Sequence, residues 1–267
     1  MTDTEEMIDL EEVIKRFCED VDRDLRARLD AWQPDFTHIQ VHEVIGAMLS
    51  RQATLAKEIA SAPSTWNGHT APILLRAMAD VHINVAWLLL DSAERCLKFI
   101  SFGLGQAKLE LEHRRAEIGD RAPTTEEAAI LGALEGWIET QRACFLQDVY
   151  LGKWAGLSVR EMAKEASCLD FYNFVYTPFS ACAHSMWHHV ARYNLVACDN
   201  PLHRYHRRPM SPALQPELNY LLLAAKYWDK TLAAFDRQFG ITVAGPSARD
   251  GLHAVVTNEE APMTEPK

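Results

Sequence analysis

With 267 residues, 48% hydrophobic and 24% charged, the chain has the balance of a globular protein and enough length for a sizeable single core. Twelve glycines and twelve prolines are few for a sandwich or barrel, which needs tight turns throughout. A net charge of −10 excludes a general polyanion-binding surface, so nucleic acid would need a local basic patch.

Six cysteines (Cys18, Cys96, Cys144, Cys168, Cys182, Cys198) show no CxxC pairing, the pattern of reduced intracellular thiols. The N-terminal MTDTEEMIDLEE is acidic, the opposite of a signal peptide, and the longest apolar run, Val85–Leu90, is short for a bilayer span. A cytoplasmic protein with no membrane partner is expected.

Residues 4–32 read as one helix, with Ile8, Val13, Ile14, Phe17, Val21, Leu25 and Leu29 recurring at threes and fours until Pro34 ends it. A second helix spans about Thr37–Ala62, and Ser61–Thr70 is a loop by composition. The third begins near Pro72 and is apolar nearly all round, which marks it as central. Asp91-x-x-Glu94 reads as a capping box that breaks it from a fourth helix ending near Ile118, whose charged second half protrudes into solvent. Thr124 and Glu127 open a fifth helix that runs to Tyr150, and Ser158-x-x-Glu161 opens a short sixth. Asn200–Pro216 is an irregular connector. Ser211-Pro212 starts a last amphipathic helix to Phe239, closed by Gly240. No strand emerges. The expected architecture is all-α, an irregular bundle of seven or eight helices. Residues 1–240 form one domain with the N-terminal helix (1–34) at its periphery, and 241–267 form a mobile tail.

The stretch Leu169–Leu195 concentrates the groups able to do chemistry. On a helix Tyr172, Tyr176, Ser180, His184 and His188 follow one another at spacings of four, and Pro178 kinks the segment at or before Thr177. Core hydroxyls with hydrogen-bond partners are the plainer reading of Tyr176 and Ser180. His184 and His188 have the i, i+4 spacing that can hold zinc, with Glu161, Glu165 or Asp170 as a further ligand, although no HExxH is present. In the third helix Arg76 and Asp80 lie four apart, either as an internal ion pair or as an anion clamp with its orienting carboxylate. His82 adds a titratable group. The run His203-Arg204-Tyr205-His206-Arg207-Arg208 interleaves rings and cations. It is either a solvated loop or a nucleic-acid contact through Arg204, Arg207 and Arg208.

Arg76-x5-His82 resembles the Arg-x4–6-His pattern of HEPN-type ribonucleases, although Ala77 stands where that superfamily usually has a polar residue. RAMAD, AERCLKFISFG and LDFYNFVYTPFSACAHS together resemble an uncharacterised bacterial family of all-helical proteins over about Val41–Asn200. There Arg76, Asp80, Tyr176, Ser180 and His184 match an Arg-x-x-x-acid helix and a Tyr-x-x-x-Ser-x-x-x-His segment. That family is similar to abortive-infection and HEPN-like proteins. The resemblance implies a HEPN-like core, a role in stress response or phage defence, and one pocket shared by the two segments.

One reading is therefore a metal-independent ribonuclease or phosphate-handling protein without cofactor, binding RNA or a phosphate-bearing ligand. In it His184 or His82 is the acid/base, Arg76 the anion clamp, Asp80 its orienter, and Tyr176 and Ser180 are positioners. The alternatives are a homodimeric helical interaction or sensor module whose polar cluster is structural, and a metal-dependent enzyme using His184 and His188.

Overall fold

The computed structural model describes residues 9–145 and 155–257. In chain order the helices are α1 (Leu10–Ala31), α2 (Ile39–Ser61), α3 (Ala71–Leu88), α4 (Ser92–Ile118), α5 (Thr125–Phe145), α6 (Val159–Glu165) and α7 (Leu169–Phe171). A π turn (Tyr172–Tyr176) leads into α8 (Thr177–Ala183), α9 (Trp187–Tyr193), strands β1 (Leu195–Ala197) and β2 (Arg207–Pro209), α10 (Asn219–Phe239) and α11 (Ala248–Thr257). The all-α irregular bundle expected from the periodicity is what forms.

Its centre is the packing of α2, α3 and α10 on one another, with α8 and α6 laid along the outer side of α3. Leu75, Met78, Ala79, Ile83, Val85 and Leu88 of α3 are fully buried, which makes this helix central, although Ile73 in its first turn is exposed. By composition the tract Ala71–Ile118 is apolar enough to cross a membrane (mean hydropathy 1.6 in its most apolar window), but 56% of that window is buried inside the bundle. At the heart of the bundle Gln52 donates to the Met78 carbonyl (3.2 Å) and to Thr231 Oγ1 (3.0 Å), joining α2, α3 and α10. Beyond Leu104 the second half of α4 pairs with α5 as an arm, exposed along most of its length, as its charge required.

Several local expectations need correction. Helix α1 is not peripheral, since Phe17 and Val21 are fully buried and Arg28 pins the helix to α10 through Asp236. Asp91 precedes α4 without a side-chain cap bond, so the break rests on the 3-10 turn Leu89–Asp91 and not on a capping box. The capping boxes at Thr124/Glu127 and Ser158/Glu161 do form. Helix α10 starts at Asn219, because Pro216 offers no N–H and the Glu217 N–H is drawn to the Trp66 carbonyl at 2.7 Å. Gly240 closes α10 in the left-handed conformation, as expected. The segment read as tail contains α11, which buries Ala248 and Leu252 against α1 and α10. The expected continuation of α5 to Tyr150, the helical start at residues 4–8 and the tail from residue 258 lie outside the described residues. Two three-residue strands, too short to show alternation, pair antiparallel with Ala197 opposite Arg207.

Candidate functional site

Pro178 sets the local geometry. It has no N–H to give the Phe174 carbonyl, and the chain responds by widening the turn before it. The backbone N–H and the hydroxyl of Thr177 both reach the Tyr172 carbonyl, the hydroxyl at 3.1 Å. This is the irregularity expected at or before Thr177, taken up as a π turn. The turn stacks Tyr172 on Tyr176, with ring centroids 4.8 Å apart and planes 21° from parallel.

The guanidinium of Arg76 lies over the Tyr176 ring, its carbon 3.3 Å from the ring centre. Its Nε donates to Ser180 Oγ at 2.7 Å, and Nη1 donates to Asp80 Oδ2. Ser180 passes the bond on, donating to the Tyr176 carbonyl at 2.8 Å. Four of the residues singled out in the sequence, Arg76, Asp80, Tyr176 and Ser180, thus form one cluster where α3 meets α8. The side chain of Arg76 keeps 15% of its exposure and that of Asp80 38%, so the cluster is open to solvent on the aspartate side. Burial raises the Asp80 carboxyl pKa, against the pull of Arg76, and burial also raises the Tyr176 phenol, helped by the Asp80 carboxylate.

His184 is the C-cap of α8, exposed, with its N–H on the Ser180 carbonyl at 3.0 Å. It therefore stands one helical turn beyond the hydroxyl that Arg76 holds, about 6 Å away between β-carbons. The row does not go on to His188. Ser185 takes a left-handed φ of 49°, its N–H bonds the Cys182 carbonyl (3.1 Å) and the Met186 N–H bonds that of Ala181 (2.9 Å). That is a Schellman closure with serine where glycine is usual. His188 belongs to α9, a separate helix, so the continuous i, i+4 pair that suggested a metal does not exist.

His82 is on another side of α3. Its Nδ1 lies 3.2 Å from Thr231 Oγ1 and its ring meets Phe171 edge-on at 4.9 Å. Burial drives the imidazole pKa down to about 3, and the Lys230 ammonium acts in the same direction. The ring borders a cavity of about 410 Å³ with Cys168, Lys230 and Arg237, away from the Arg76 cluster. Arg76 and His82 thus belong to two different contact networks.

Of the basic run, Arg204, Arg207 and Arg208 are all exposed on the β1–β2 hairpin, and Arg208 is paired with Asp199. Sequence reading placed Tyr172 in the helical row but missed its stacking. The signal was Pro178, whose effect on the preceding turn decides which rings can overlap. It noted Cys182 within the stretch but not its bond: the thiol ties α8 to the loop before α3 by donating to the His69 carbonyl at 3.1 Å.

The fold and the cluster define a class: an all-helical protein with a tyrosine-stacked arginine shared between a central helix and a π-bulged segment. The chain belongs to the family of unknown function DUF5677, whose model matches residues 42–201 and so includes every member of the cluster. No curated protein and no solved structure matches it.

Proposed function

We propose that this protein binds and cleaves RNA, or handles a related nucleotide phosphate, at the α3–α8 junction without a metal, in a cytoplasmic stress or phage-defence role. The observation that carries the reading is the held guanidinium. Asp80, Ser180 and Tyr176 fix Arg76 from three directions, its two hydrogen bonds use two of five N–H donors, and His184 stands one turn along the same helix. An oriented cation of this kind stabilises charge as it develops on a phosphoryl group. His184 would take the proton from a ribose 2′-hydroxyl as its oxygen attacks phosphorus, Arg76 would meet the negative phosphorane oxygens, and the P–O5′ bond would then break to leave a 2′,3′-cyclic phosphate, the departing 5′-oxygen taking its proton from water. Tyr176 and Ser180 position the arginine, and Asp80 sets its fork. Exposed Arg204 and Arg207 are available to the RNA backbone. The defence setting rests on the resemblance to abortive-infection proteins alone.

The test is incubation of end-labelled single-stranded RNA with purified protein in EDTA. Cleavage leaving 2′,3′-cyclic phosphate ends, lost in both Arg76→Ala and His184→Ala with helicity retained, is the expected result. RNA left intact at high protein concentration, with no binding of nucleotide phosphate, would overturn the reading. A second reading has its own support: with 15% exposure and bonds on two sides, Arg76 also fits a strut between α3 and α8. In that case Arg76→Ala lowers the melting temperature and His184→Ala changes nothing.

A further inference from the structure

The connection between β1 and β2 gathers three ligand atoms that neither the fold nor the α3–α8 cluster uses. Cys198 Sγ and one ring nitrogen each of His203 and His206 all lie within 4.8 Å of one another. The sequence behind them is Cys198-x4-His203-x2-His206. Sγ of Cys198 is 3.7 Å from Nδ1 of His203. Two ligands of a tetrahedral zinc, with bonds of about 2.3 Å to sulfur and about 2.05 Å to nitrogen, stand about 3.6 Å apart. The rings of His203 and His206 meet edge-on with centroids 5.5 Å apart, so both can turn a nitrogen to one point.

The backbone holds these residues in place. The Cys198 N–H reaches the His206 carbonyl (3.0 Å), continuing the β1–β2 ladder by one rung. Inside the loop the His203 N–H reaches the Asn200 carbonyl and the His206 N–H reaches the His203 carbonyl, each at 2.9 Å. Asn200 Oδ1 accepts from the Leu202 N–H at 3.0 Å, which fixes the first turn of the loop.

The second observation is what the hairpin lacks. Its strands are three residues each, and the loop's two large side chains, Leu202 and Tyr205, retain 89% and 88% of their exposure. A two-stranded hairpin without a buried face is marginal in water, and a metal cross-link is one of the few devices that hold so small a unit.

We propose that Cys198, His203 and His206 bind a zinc-class transition-metal ion that staples this hairpin. One thiolate and two imidazoles suit Zn²⁺ or Co²⁺ over Mg²⁺ or Ca²⁺, and three protein ligands leave a fourth position for water or an incoming ligand. The ion would fix Arg204 and Arg207 on a rigid turn.

The test uses the full chain, stripped of metal and titrated with Co²⁺ and then Zn²⁺. One equivalent of Co²⁺ should give visible d–d bands with a thiolate charge-transfer band in the near ultraviolet, bleached by one equivalent of Zn²⁺. Cys198→Ser should lose the charge-transfer band, and His203→Ala with His206→Ala should lose stoichiometric binding. The helical circular dichroism of all variants should stay unchanged, since the hairpin is outside the core. Absence of a stoichiometric cobalt spectrum would overturn the proposal. So would a spectrum that survives Cys198→Ser unchanged, or one abolished by His184→Ala with the hairpin ligands intact.

Discussion

Arg28 and Arg76 both bring a guanidinium into the bundle to meet an aspartate, yet they do different things there. Arg28 reaches across from α1 to Asp236 on α10 with a full fork, Nε to Oδ1 at 2.8 Å and Nη2 to Oδ2 at 2.8 Å, and gives Nη1 to the Asp24 carbonyl at 3.0 Å. Three of its five N–H donors go to protein acceptors, and the side chain keeps only 10% of its exposure. Arg76 pairs instead with Asp80 on its own helix, a contact that joins no two elements, and its tie to α8 is one serine hydroxyl and one tyrosine face. A cation meant only to hold helices together is better used in the first way. The second arrangement orients the guanidinium and leaves the carboxylate beside it partly in water.

The comparison can be broken by exchanging the roles. Arg28→Ala strands the largely buried Asp236 carboxylate, and should cost about 3 kcal/mol or more in urea unfolding. Arg76→Ala strands less, because Asp80 can turn to solvent, and should cost about 1–2 kcal/mol. Under the ribonuclease reading Arg76→Ala abolishes cleavage, whereas Arg28→Ala leaves it intact in whatever fraction stays folded. If Arg76→Ala proved the more damaging to stability, Arg76 would be the strut and the site reading would fall.

The other side of α3 sharpens the contrast through pH. The folded-state pKa of His82 is about 3, against 6.5 for the free imidazole. Above pH 6.5 neither state holds the extra proton and the stability is complete. Between about 6.5 and 3 the unfolded chain takes the proton first, so stability falls on acidification, by at most about 1.4 kcal/mol per unit from this group. Asp80 and Asp24, whose carboxyl pKa values are raised, work in the opposite sense. His82→Asn keeps a polar partner for Thr231 and removes the titration. Urea unfolding at pH 7 and pH 5 should show a smaller loss in the variant than in the parent. An identical loss in both would show that His82 is not held neutral.

Much of this is legible in the sequence. The capping boxes at Thr124 and Ser158, the apolar circumference of α3 and the spacing of Tyr176 and Ser180 each follow from local side-chain chemistry. The meeting of Arg76 with Ser180 followed only from the family resemblance, since spacing within one helix says nothing of which other helix it touches. Two kinds of feature stayed hidden. Helix α11 is short and gains its place by burying Ala248 and Leu252 on α1 and α10, so its cause is tertiary. The break after His184 was hidden because serine, not glycine, takes the left-handed position. The same substitution hides the end of α6, where Ser167 has φ 54° and the Cys168 N–H closes onto the Ala163 carbonyl at 2.8 Å.

A smaller effect tests that break, and with it the company Arg76 keeps. A left-handed backbone costs a residue with a Cβ about 1 kcal/mol or more, part of which glycine gives back through the freedom it loses on folding. Ser185→Gly should therefore raise stability by about 0.5 kcal/mol, and Ser185→Val, branched at Cβ, should lower it by more than that, both read from urea midpoints. Cleavage should survive Ser185→Gly, because the cap that sets His184 beside Ser180 is preserved. If instead valine is tolerated as well as serine, the chain there is ordinary helix. His184 and His188 would then share one face, and the imidazole assigned to Arg76 would belong to the pair that a metal could bridge.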